Sequence, residues 1–511
     1  MLTTRTMIAA FIAVLLTSIA ALAQETEVID IGSRRELFVD DALLEQIGGG
    51  AQLRLHAPTR REIAIKYDQP WEGNASGYAT VFQDGDVFRM YYRGHRYLVK
   101  EDSFGQAQSE VVCYAESEDG IHWVKPELGL FEWDGSRDNN IIWRGGPETH
   151  NFAPFKDTNP DCPEDEKYKA IGGTVTSNGL LTFKSADGIH WSELSEEPVV
   201  TRGAFDSHNT CFWDPAQDRY VMYMRYFSEG QFKGLRSIGV SYSNDFADWT
   251  EPVGLDYPGS PPQQMYTNQI APYARAPHIL MGFPTRYVAR DLNEHGKTID
   301  PVPLRDLLTK SHRRIGTDLT DGVFMTSRDG QSFHRWDEAF LRPGPQEEGH
   351  WIYGDNYQSY GLWETAAEHP LAPPELSMHF TEYAWLDDDH QARRYTIRLD
   401  GFVSLNAPYS GGEVTTRPIK FSGDRLSINY STSAAGHVFL EIQDASGEPI
   451  AGYALTDCLE HYGDSVDQTI AWKSGADVSS LAGQPVRLRF VLKDADLYSF
   501  HFVEDDRNGD E

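Results

Sequence analysis

Four times along this chain a strand-like run ends in nearly the same short segment, and this repeat constrains the fold more than any other feature. The segments are SEDGIHW (Ser117–Trp123), SADGIHW (Ser185–Trp191), SNDFADW (Ser243–Trp249) and SRDGQSF (Ser327–Phe333). Their first residues are 68, 58 and 84 positions apart. A recurring unit built from short strands is typical of a β-propeller, in which each unit forms one blade.

The residue types in the repeat explain what it does. Asp followed by Gly favours a tight turn, because Gly adopts positive φ without strain and Asp and Ser side chains bond the amides of the turn. We expect the closing Trp or Phe to fill the gap between neighbouring blades. Alternating apolar and polar residues predict five groups of three strands, from Tyr78–Gln83 to Arg393–Leu399. The segment Glu36–Asp41 is predicted to add a closing strand to the last blade.

The chain divides into three predicted regions. Residues 1–23 have the basic start, short apolar run and Ala-Leu-Ala ending of a signal peptide. Residues 24–400 form the five-bladed β-propeller, with one short helix at Leu304–Lys310. Residues 401–511 lack the repeat and are predicted to form a separate β-sandwich of ordinary domain size. The predicted fold class is all-β, a five-bladed propeller followed by a C-terminal sandwich.

Net charge and residue composition limit the classes of molecule that this chain is expected to bind. The formal charge of −32 argues against binding to nucleic acid or to an anionic membrane surface. Four cysteines in 511 residues do not make a disulfide scaffold, although a single bridge stays open. Aromatic residues make up 12% of the chain, which suits stacking on sugar rings and equally suits β-sheet packing.

The candidate site follows from propeller geometry. The first strand of each blade begins, the second strand ends and the third strand begins at the same face, so polar residues at those positions should meet at one mouth. Three carboxylates are predicted to be catalytic: Asp206, Glu382 and Glu72. Nine further residues are predicted to bind substrate: Arg93, His150, Asn151, His208, Asn209, Arg225, Asn268, Arg286 and Asp321.

Each predicted role has a plain structural alternative. Asp206, in FDSHN, could cap a turn. Glu382 lies on an aromatic strand, where an unpaired charge would be costly, so an arginine salt bridge is its alternative. Glu72 could be a solvated loop residue, and Asp321 competes with all three acids for the catalytic role. Arg93, Arg225 and Arg286 suit an anion clamp for an acidic sugar or structural pairing with these carboxylates. No metal-ligand spacing is present, whereas a calcium ion in the channel stays open.

The segments LFVDD, SEDGIHWVKPELGL, TSRDGQSFHRW, DGFVSL and KDADLYSF make the chain similar to five-bladed propeller glycoside hydrolases of families 32, 43, 68 and 117. It is most similar to secreted bacterial proteins labelled family-32-like. The resemblance implies acids from the first three blades, where Glu72, Asp157 and Asp206 are the available residues. Three family-32 catalytic motifs, of the types Trp-Met-Asn-Asp-Pro, Arg-Asp-Pro and Glu-Cys, are missing from this chain, so fructan hydrolysis is not supported.

These observations predict an exported enzyme, periplasmic or extracellular, that removes a terminal sugar from oligosaccharides by a two-carboxylate mechanism. The sugar is acidic or otherwise unusual, no cofactor is required, and no membrane contact is expected after signal cleavage. Three alternatives stay open: a sialidase-like hydrolase with an arginine clamp, a phosphorylase, and a glycan-binding propeller without catalysis. The oligomeric state, the linkage and the anomeric configuration stay undetermined.

Overall fold

The computed structural model describes residues 28–230, 232–300, 302–347, 349–386 and 389–504. These residues form two compact units, one of residues 55–403 and one of residues 28–54 with 404–504. Strands dominate both units, so the prediction of a β-rich chain is confirmed. The predicted signal peptide, residues 1–23, lies outside the described residues. Within the described part of the chain, no helix combines the length and apolar character that crossing a membrane requires.

Five four-stranded antiparallel sheets make up most of the unit 55–403. The first comprises Gly77–Asp84, Val87–Gly94, Val111–Ser117 and Ile141–Arg144. The second comprises Ala153–Lys156, Tyr168–Gly172, Leu181–Ser185 and Ser192–Glu193. The third comprises Thr210–Asp214, Arg219–Phe227, Arg236–Ser243 and Val253–Gly254. The fourth comprises Ala271–Tyr273, Ala276–Gly282, Met325–Ser327 and His334–Arg335. The fifth comprises Trp363–Thr365, Glu375–Glu382, Gln391–Arg398 and Thr59–Lys66. The sequence predicted three strands for each sheet, and the structure adds a fourth to each.

Two insertions extend the regular sheets. In the first sheet, the hairpin Tyr97–Lys100 and Ser103–Gln106 follows the second strand. In the fourth, the segment 283–324 adds the strands Thr285–Val288 and Leu319–Gly322, which form a small sheet with Gln264–Met265, and the helices Val302–Ser311 and Arg313–Thr317. The first helix confirms the prediction at Leu304–Lys310. Short 3₁₀ turns occur at Pro147–His150, Glu164–Glu166, Val175–Ser177 and Gly296–Thr298.

The fifth sheet is completed by a strand from the beginning of this unit. Thr59–Lys66 pairs antiparallel with Gln391–Arg398. The predicted closing strand was therefore wrong, because Glu36–Leu37 pairs with Val486–Val503 in the other unit. The strand Thr59–Lys66 is hard to recognise in sequence because it carries three consecutive charged residues, Arg60, Arg61 and Glu62. Those charges are satisfied only by the neighbouring strands of the sheet.

The repeated segment forms the same turn each time. In the second sheet, Ser185 Oγ accepts a hydrogen bond from the amide of Gly188 at 2.9 Å. The carboxylate of Asp187 accepts bonds from the amides of Ile189 and His190. The residue after the Asp has positive φ in all four turns: Gly120, Gly188, Phe246 and Gly330. The turn is therefore stabilised by contacts within a few residues, which is why it is visible in the sequence.

The aromatic residues of the repeat connect neighbouring sheets. The ring pairs, with centroid separations, are Trp191–Tyr91 at 6.2 Å, Phe246–Phe155 at 5.7 Å, Phe333–Tyr223 at 6.2 Å and Trp123–Trp363 at 6.3 Å. These pairs join the second sheet to the first, the third to the second, the fourth to the third, and the first to the fifth. The four pairs therefore link the sheets in the order fifth, first, second, third and fourth.

The second unit contains a ten-stranded sheet with its own hydrophobic core. Its strands are Ile29–Gly32, Glu36–Leu37, Leu44–Gly48, Gln52–Leu55, Val403–Ala407, Gly412–Thr416, Ile419–Phe421, Arg425–Asp444, Asp464–Thr469 and Val486–Val503, with a 3₁₀ turn at Ser479–Leu481. The two longest strands pair along most of their length, with a register shift between Thr432 and His437. Residues 28–54 thus belong with the C-terminal strands, whereas the sequence analysis placed residues 24–400 in one domain.

Candidate active site

One cavity of about 380 Å³ lies in the unit 55–403, at the positions where the sequence analysis expected polar residues to meet. Residues just before first strands contribute His150 and Asp206, Tyr78 comes from the beginning of a first strand, and Arg93 comes from the end of a second strand. The remaining wall comes from the hairpin 97–106, the insertion with its two helices, and residues 353–357 and 381–390. Among the described residues that line it, Asp206 is the only acidic one.

Three side chains form a continuous polar chain at the cavity wall. His150 Nδ1 lies 2.9 Å from a carboxylate oxygen of Glu110, and His150 Nε2 lies 3.0 Å from a carboxylate oxygen of Asp206. Ionised carboxylates only accept hydrogen bonds, so both ring nitrogens must donate and the imidazole is protonated. The Asp206 side chain is 61% exposed, and it faces the cavity, whereas Glu110 is largely buried behind His150.

The pKa values of this chain shift in the directions that the contacts require. Burial and Arg93 disfavour protonation of His150, but the hydrogen bonds to Asp206 and Glu110 outweigh them and raise its pKa. Enclosure opposes ionisation of Glu110, but His150 and Arg93 lower its pKa to about 2. At Asp206, burial likewise opposes ionisation. The charges of His150, Arg225 and Arg93 outweigh burial and hold the pKa of Asp206 below its ordinary range. The chain is therefore carboxylate, imidazolium, carboxylate at neutral pH.

The backbone on both sides of Asp206 is held by two buried asparagines. Asn151 and Asn209 both donate to the carbonyl oxygens of Phe205 and Ser207. Phe205 has a φ of 50°, a region that non-glycine residues occupy only when their surroundings enforce it. Asn151 and Asn209, predicted to bind substrate, thus fix the position of Asp206 and do not line the cavity.

Arg93 and Tyr78 form the floor beside His150. The guanidinium of Arg93 lies 4.6 Å from the centre of the Tyr78 ring and donates to the carbonyl of Ala75 at 2.7 Å. Tyr78 also has a φ of 50°, and its ring stacks on that of His208 at 5.6 Å. Tyr78 lines the cavity and Phe205 adjoins the lining residue Asp206, and backbone strain of this kind is common at functional sites.

Aromatic rings form the opposite wall. Tyr97 and Phe104 of the hairpin stack with centroids 4.6 Å apart, and Phe104 lies 5.6 Å from the ring of Trp385. Trp385 in turn stacks on Tyr353. Flat apolar faces with a few polar edges suit the face of a sugar ring.

The other two predicted catalytic acids do not reach the cavity. Glu72 is fully buried, 2.6 Å from Lys125 Nζ and 2.6 Å from the Tyr92 hydroxyl, and burial raises its pKa against the effect of Lys125. Glu382 accepts hydrogen bonds from Arg60 at 2.8 and 2.9 Å and from Arg393 at 2.6 Å. Glu382 therefore has the salt bridge that was its structural alternative, and neither placement supports a catalytic role.

Asp157, the acid that the resemblance suggested for the second blade, is also buried in a structural pair. Its carboxylate lies 2.7 Å from Lys169 Nζ and accepts a hydrogen bond from the Tyr220 hydroxyl at 2.7 Å. Of the predicted catalytic carboxylates, Asp206 alone lies in the cavity lining.

The predicted three-arginine clamp is not assembled. Arg225 is buried and donates to the carbonyl of Tyr266 at 2.6 Å. Arg286 forms a two-point salt bridge with Asp321, at 2.8 and 2.5 Å. The cavity lining includes none of Arg225, Arg286 and Asp321. Of the three arginines, only Arg93 faces the cavity.

Two more of the predicted substrate-binding residues are buried within the unit. His208 has no solvent exposure, and burial with the nearby Arg93 lowers its pKa to about 3, so it is neutral. Asn268 bonds the hydroxyl of Thr210 and the carbonyl oxygens of His208 and Tyr223. Both residues connect neighbouring sheets and lie outside the cavity lining.

Sequence reasoning missed Arg314 in the cavity lining and Glu110, which lies behind His150. Glu110 immediately precedes the third strand of the first sheet, a position that the blade geometry had marked and that was applied only to Asp321. Arg314 lies in a helical insertion whose place over the cavity no local pattern reveals. Among the described residues, no group of three or more His, Cys, Asp or Glu side chains is arranged to hold a metal ion.

The raised pKa of His150 makes a testable contribution to stability. A raised folded-state pKa stabilises the protein below the ordinary imidazole value of about 6.5, and this stabilisation is lost as the pH rises through the folded-state value. We expect His150→Gln to lower the free energy of unfolding by about 2 kcal/mol near pH ~6, because two charge-assisted hydrogen bonds are lost. The difference from wild type should shrink near pH ~9. Urea unfolding at both pH values measures it.

The matched control for this change is His369→Gln, at an exposed position. It should leave the free energy of unfolding nearly unchanged at both pH values. A difference between wild type and His150→Gln that stays constant with pH would contradict a protonated bridge between the two carboxylates.

Comparison with the sequences of known proteins finds matches over part of the chain. No family model matches the chain. Two uncharacterized proteins from strains CDC 1551 and ATCC 25618 of Mycobacterium tuberculosis are each 26% identical over 160 residues. The match covers 29% of this chain and 45% of each relative, so the chain spans less than half the length of the curated relatives that it matches.

Comparison with solved structures gives matches at low sequence identity. A family 43 arabinoxylan arabinofuranohydrolase from Bacillus subtilis is 10% identical, with a TM-score of 0.40 over 87% of this chain and 99% of that one. An N-acetylgalactosamine deacetylase from F. plautii is 15% identical, with a TM-score of 0.40 over 67% and 94%. A structure from glycoside hydrolase family 130 is 11% identical, with a TM-score of 0.38 over 68% and 94%. The family-32-like label stays a prediction.

Proposed function

We propose that this protein is an exported glycoside hydrolase that removes a sugar from the end of an oligosaccharide. The observation that carries the proposal is the ionised carboxylate of Asp206, held by a protonated His150 in a cavity with an aromatic wall. Glycoside hydrolysis needs an ionised group beside the anomeric carbon and a proton for the leaving oxygen. Export is supported by the signal-like composition of residues 1–23.

We interpret the five sheets as the blades of a propeller and the unit of residues 28–54 and 404–504 as an accessory sandwich. The ring pairs that link the sheets in the order fifth, first, second, third and fourth support the propeller. A cavity of about 380 Å³ is small for a ligand site, which favours a single terminal sugar over an internal chain segment.

The mechanism that we propose differs from the expected carboxylate pair. His150 and Asp206 are 3.0 Å apart, closer than the roughly 5–9.5 Å between two groups that flank a glycosidic bond, so they act as one unit. Asp206 accepts the proton of the attacking water as a new bond forms from that water oxygen to the anomeric carbon. Glu110 acts through His150, whose charge keeps Asp206 ionised between turnovers.

The leaving oxygen needs a proton donor, and the cavity lining contains three histidines. His150 is occupied by two carboxylates, and burial lowers the pKa of His390 to about 4, which leaves it neutral. His312, exposed at the edge of the insertion, remains. We assign proton donation to it, because a protonated imidazole is a hydrogen-bond donor at both ring nitrogens and His312 lies in the cavity lining. The reaction as proposed needs these side chains and water.

His312→Gln tests this assignment through the leaving group. We expect kcat on oligosaccharides to fall on the order of 10²-fold, the usual contribution of a general acid. Hydrolysis of 4-nitrophenyl glycosides should fall far less, because nitrophenolate leaves without a proton. Initial rates on both substrate types measure the difference.

The same assays test the function itself. Wild-type protein should release monosaccharides from chain ends from the start of the reaction, with no dependence on added phosphate. Equal losses on both substrate types would remove His312 from the mechanism. Absence of hydrolysis on a broad plant and algal panel, with retained glycan binding, would favour a binding protein without catalysis.

A further inference from the structure

The cavity has a charge balance opposite to that of the whole protein. The chain has a formal charge of −32, yet the described cavity lining contains two arginines and the protonated His150 against one carboxylate, Asp206. A concave site with the opposite sign to its surroundings concentrates ligands of the complementary charge. The cavity is therefore suited to an anion.

The two arginines are not equally available to a ligand. The guanidinium of Arg93 is held by the carbonyl of Ala75 and lies against His150 and Glu110. Arg314 has no carboxylate within ion-pair distance among the described residues, and its guanidinium lies over the rings of Tyr353 at 4.8 Å and Tyr287 at 5.7 Å.

Two other cations in the same helical segment each have a carboxylate partner. Arg313 forms an ion pair with Asp291 at 2.8 Å, and Lys310 forms one with Glu101 at 2.8 Å. Both are exposed, whereas Arg314 is half-buried beside the cavity. A partly buried cation normally has a counter-ion, because removal from water is costly without one. Among the described residues Arg314 lacks such a counter-ion, so we expect a ligand to supply it.

We propose that Arg314 binds an oxyanion on the terminal sugar, either the carboxylate of a uronic acid or a sulfate ester. The identification of the ligand as a terminal sugar rests on the proposed function. The anion site itself rests on the charges of the cavity. The planar guanidinium donates two parallel hydrogen bonds to such a group, and the flanking tyrosine rings hold it in one orientation. The aromatic wall then contacts the face of the same sugar.

Direct binding of free monosaccharides tests the proposal without any hydrolysis. Isothermal titration with D-glucuronate, D-galacturonate, glucose 6-sulfate and glucose gives four dissociation constants at one ionic strength. At least one anionic sugar should bind on the order of 10-fold or more tightly than glucose, the usual effect of charge-assisted hydrogen bonds. Preference for the uronates or for the sulfate identifies which oxyanion the site takes.

The decisive comparison is between two adjacent arginines. Arg314→Gln should abolish the preference for the anionic sugar, whereas Arg313→Gln removes the same charge from an exposed ion pair and should leave it intact. Arg314→Lys keeps the charge without the two-point geometry and should give an intermediate affinity, which also covers the case in which Arg314→Gln folds poorly.

The possible failures are distinguishable. Equal affinities for glucose and all anionic sugars, or equal effects of the changes at Arg313 and Arg314, would overturn the anion site. Anion binding that depends on Arg314 in a protein without hydrolytic activity would support the site while overturning the proposed reaction.

Discussion

Asp206→Asn is expected to lower kcat on oligosaccharides on the order of 10²–10⁴-fold, the contribution of a positioned general base. The amide cannot take a proton from water, and it carries no charge to stabilise the transition state. The fold should persist, because the amide oxygen can still accept the hydrogen bond from His150 and Glu110 still holds the other ring nitrogen. Activity on 4-nitrophenyl glycosides should fall equally, in contrast with His312→Gln. Initial rates and thermal unfolding of the same samples measure both expectations.

The control for this change is Asp165→Asn, the same substitution at an exposed residue that pairs with Lys184. It should leave kcat unchanged, because an exposed ion pair outside the cavity contributes little. If Asp206→Asn kept more than about half of the wild-type rate, far above the loss expected for a general base, Asp206 could not be the reacting carboxylate.

Glu382→Gln is expected to affect stability strongly, by about 3 kcal/mol in the free energy of unfolding. Its carboxylate is 4% exposed and accepts hydrogen bonds from Arg60, Arg393 and the Tyr395 hydroxyl. An amide leaves two guanidinium groups without their counter-ion. Arg60 lies on the strand that closes the fifth sheet, so this loss also weakens the closure of the unit. Urea unfolding followed by tryptophan fluorescence measures the change.

A matched control lies at the other end of the same strand. Glu375 pairs with Arg61 of the closing strand, but its side chain is 25% exposed. Glu375→Gln should therefore cost at most about 1 kcal/mol, as expected for a partly solvated pair. If Glu382→Gln instead abolished hydrolysis and left stability unchanged, a catalytic role for Glu382 would have to be restored.

The pH dependence of the Glu382 contribution has a definite sign. Burial raises its pKa, but the arginines and Tyr395 lower it more, to about 2. A depressed folded-state pKa stabilises the protein above the ordinary glutamate value of about 4.3, and this stabilisation is lost as the pH falls toward 2. The stability difference between wild type and Glu382→Gln should therefore disappear in strong acid.

Local features of the fold were predictable from the sequence. The Ser-x-Asp turns, the strands next to them and the helix near Leu304–Lys310 depend on contacts within a few residues, and the structure has all of them. The region of the candidate site was also predictable, because the ends of strands are marked by the same turns. Arg93, His150 and Asp206 were selected in this way, and they meet at one cavity.

The errors concern contacts between residues far apart in the chain. Thr59–Lys66 closes the fifth sheet through charges that only the neighbouring strands neutralise. Nothing near Glu382 in sequence indicates Arg60, and nothing near Glu72 indicates Lys125. The same holds for Asn151 and Asn209, which hold the backbone of Asp206 and do not face the cavity.

The sequence by itself determined the first three strands of each sheet, the turns and the face on which polar residues collect, because backbone hydrogen bonding and side-chain alternation act over short distances. Only the tertiary structure decided which carboxylate faces the cavity and which is neutralised by a buried cation. A carboxylate that faces the cavity and one that is neutralised by a buried cation are the same residue type, so the sequence does not distinguish them. Its partner, which sets its pKa and its exposure, comes from another strand, and that pairing exists only after the sheets have assembled.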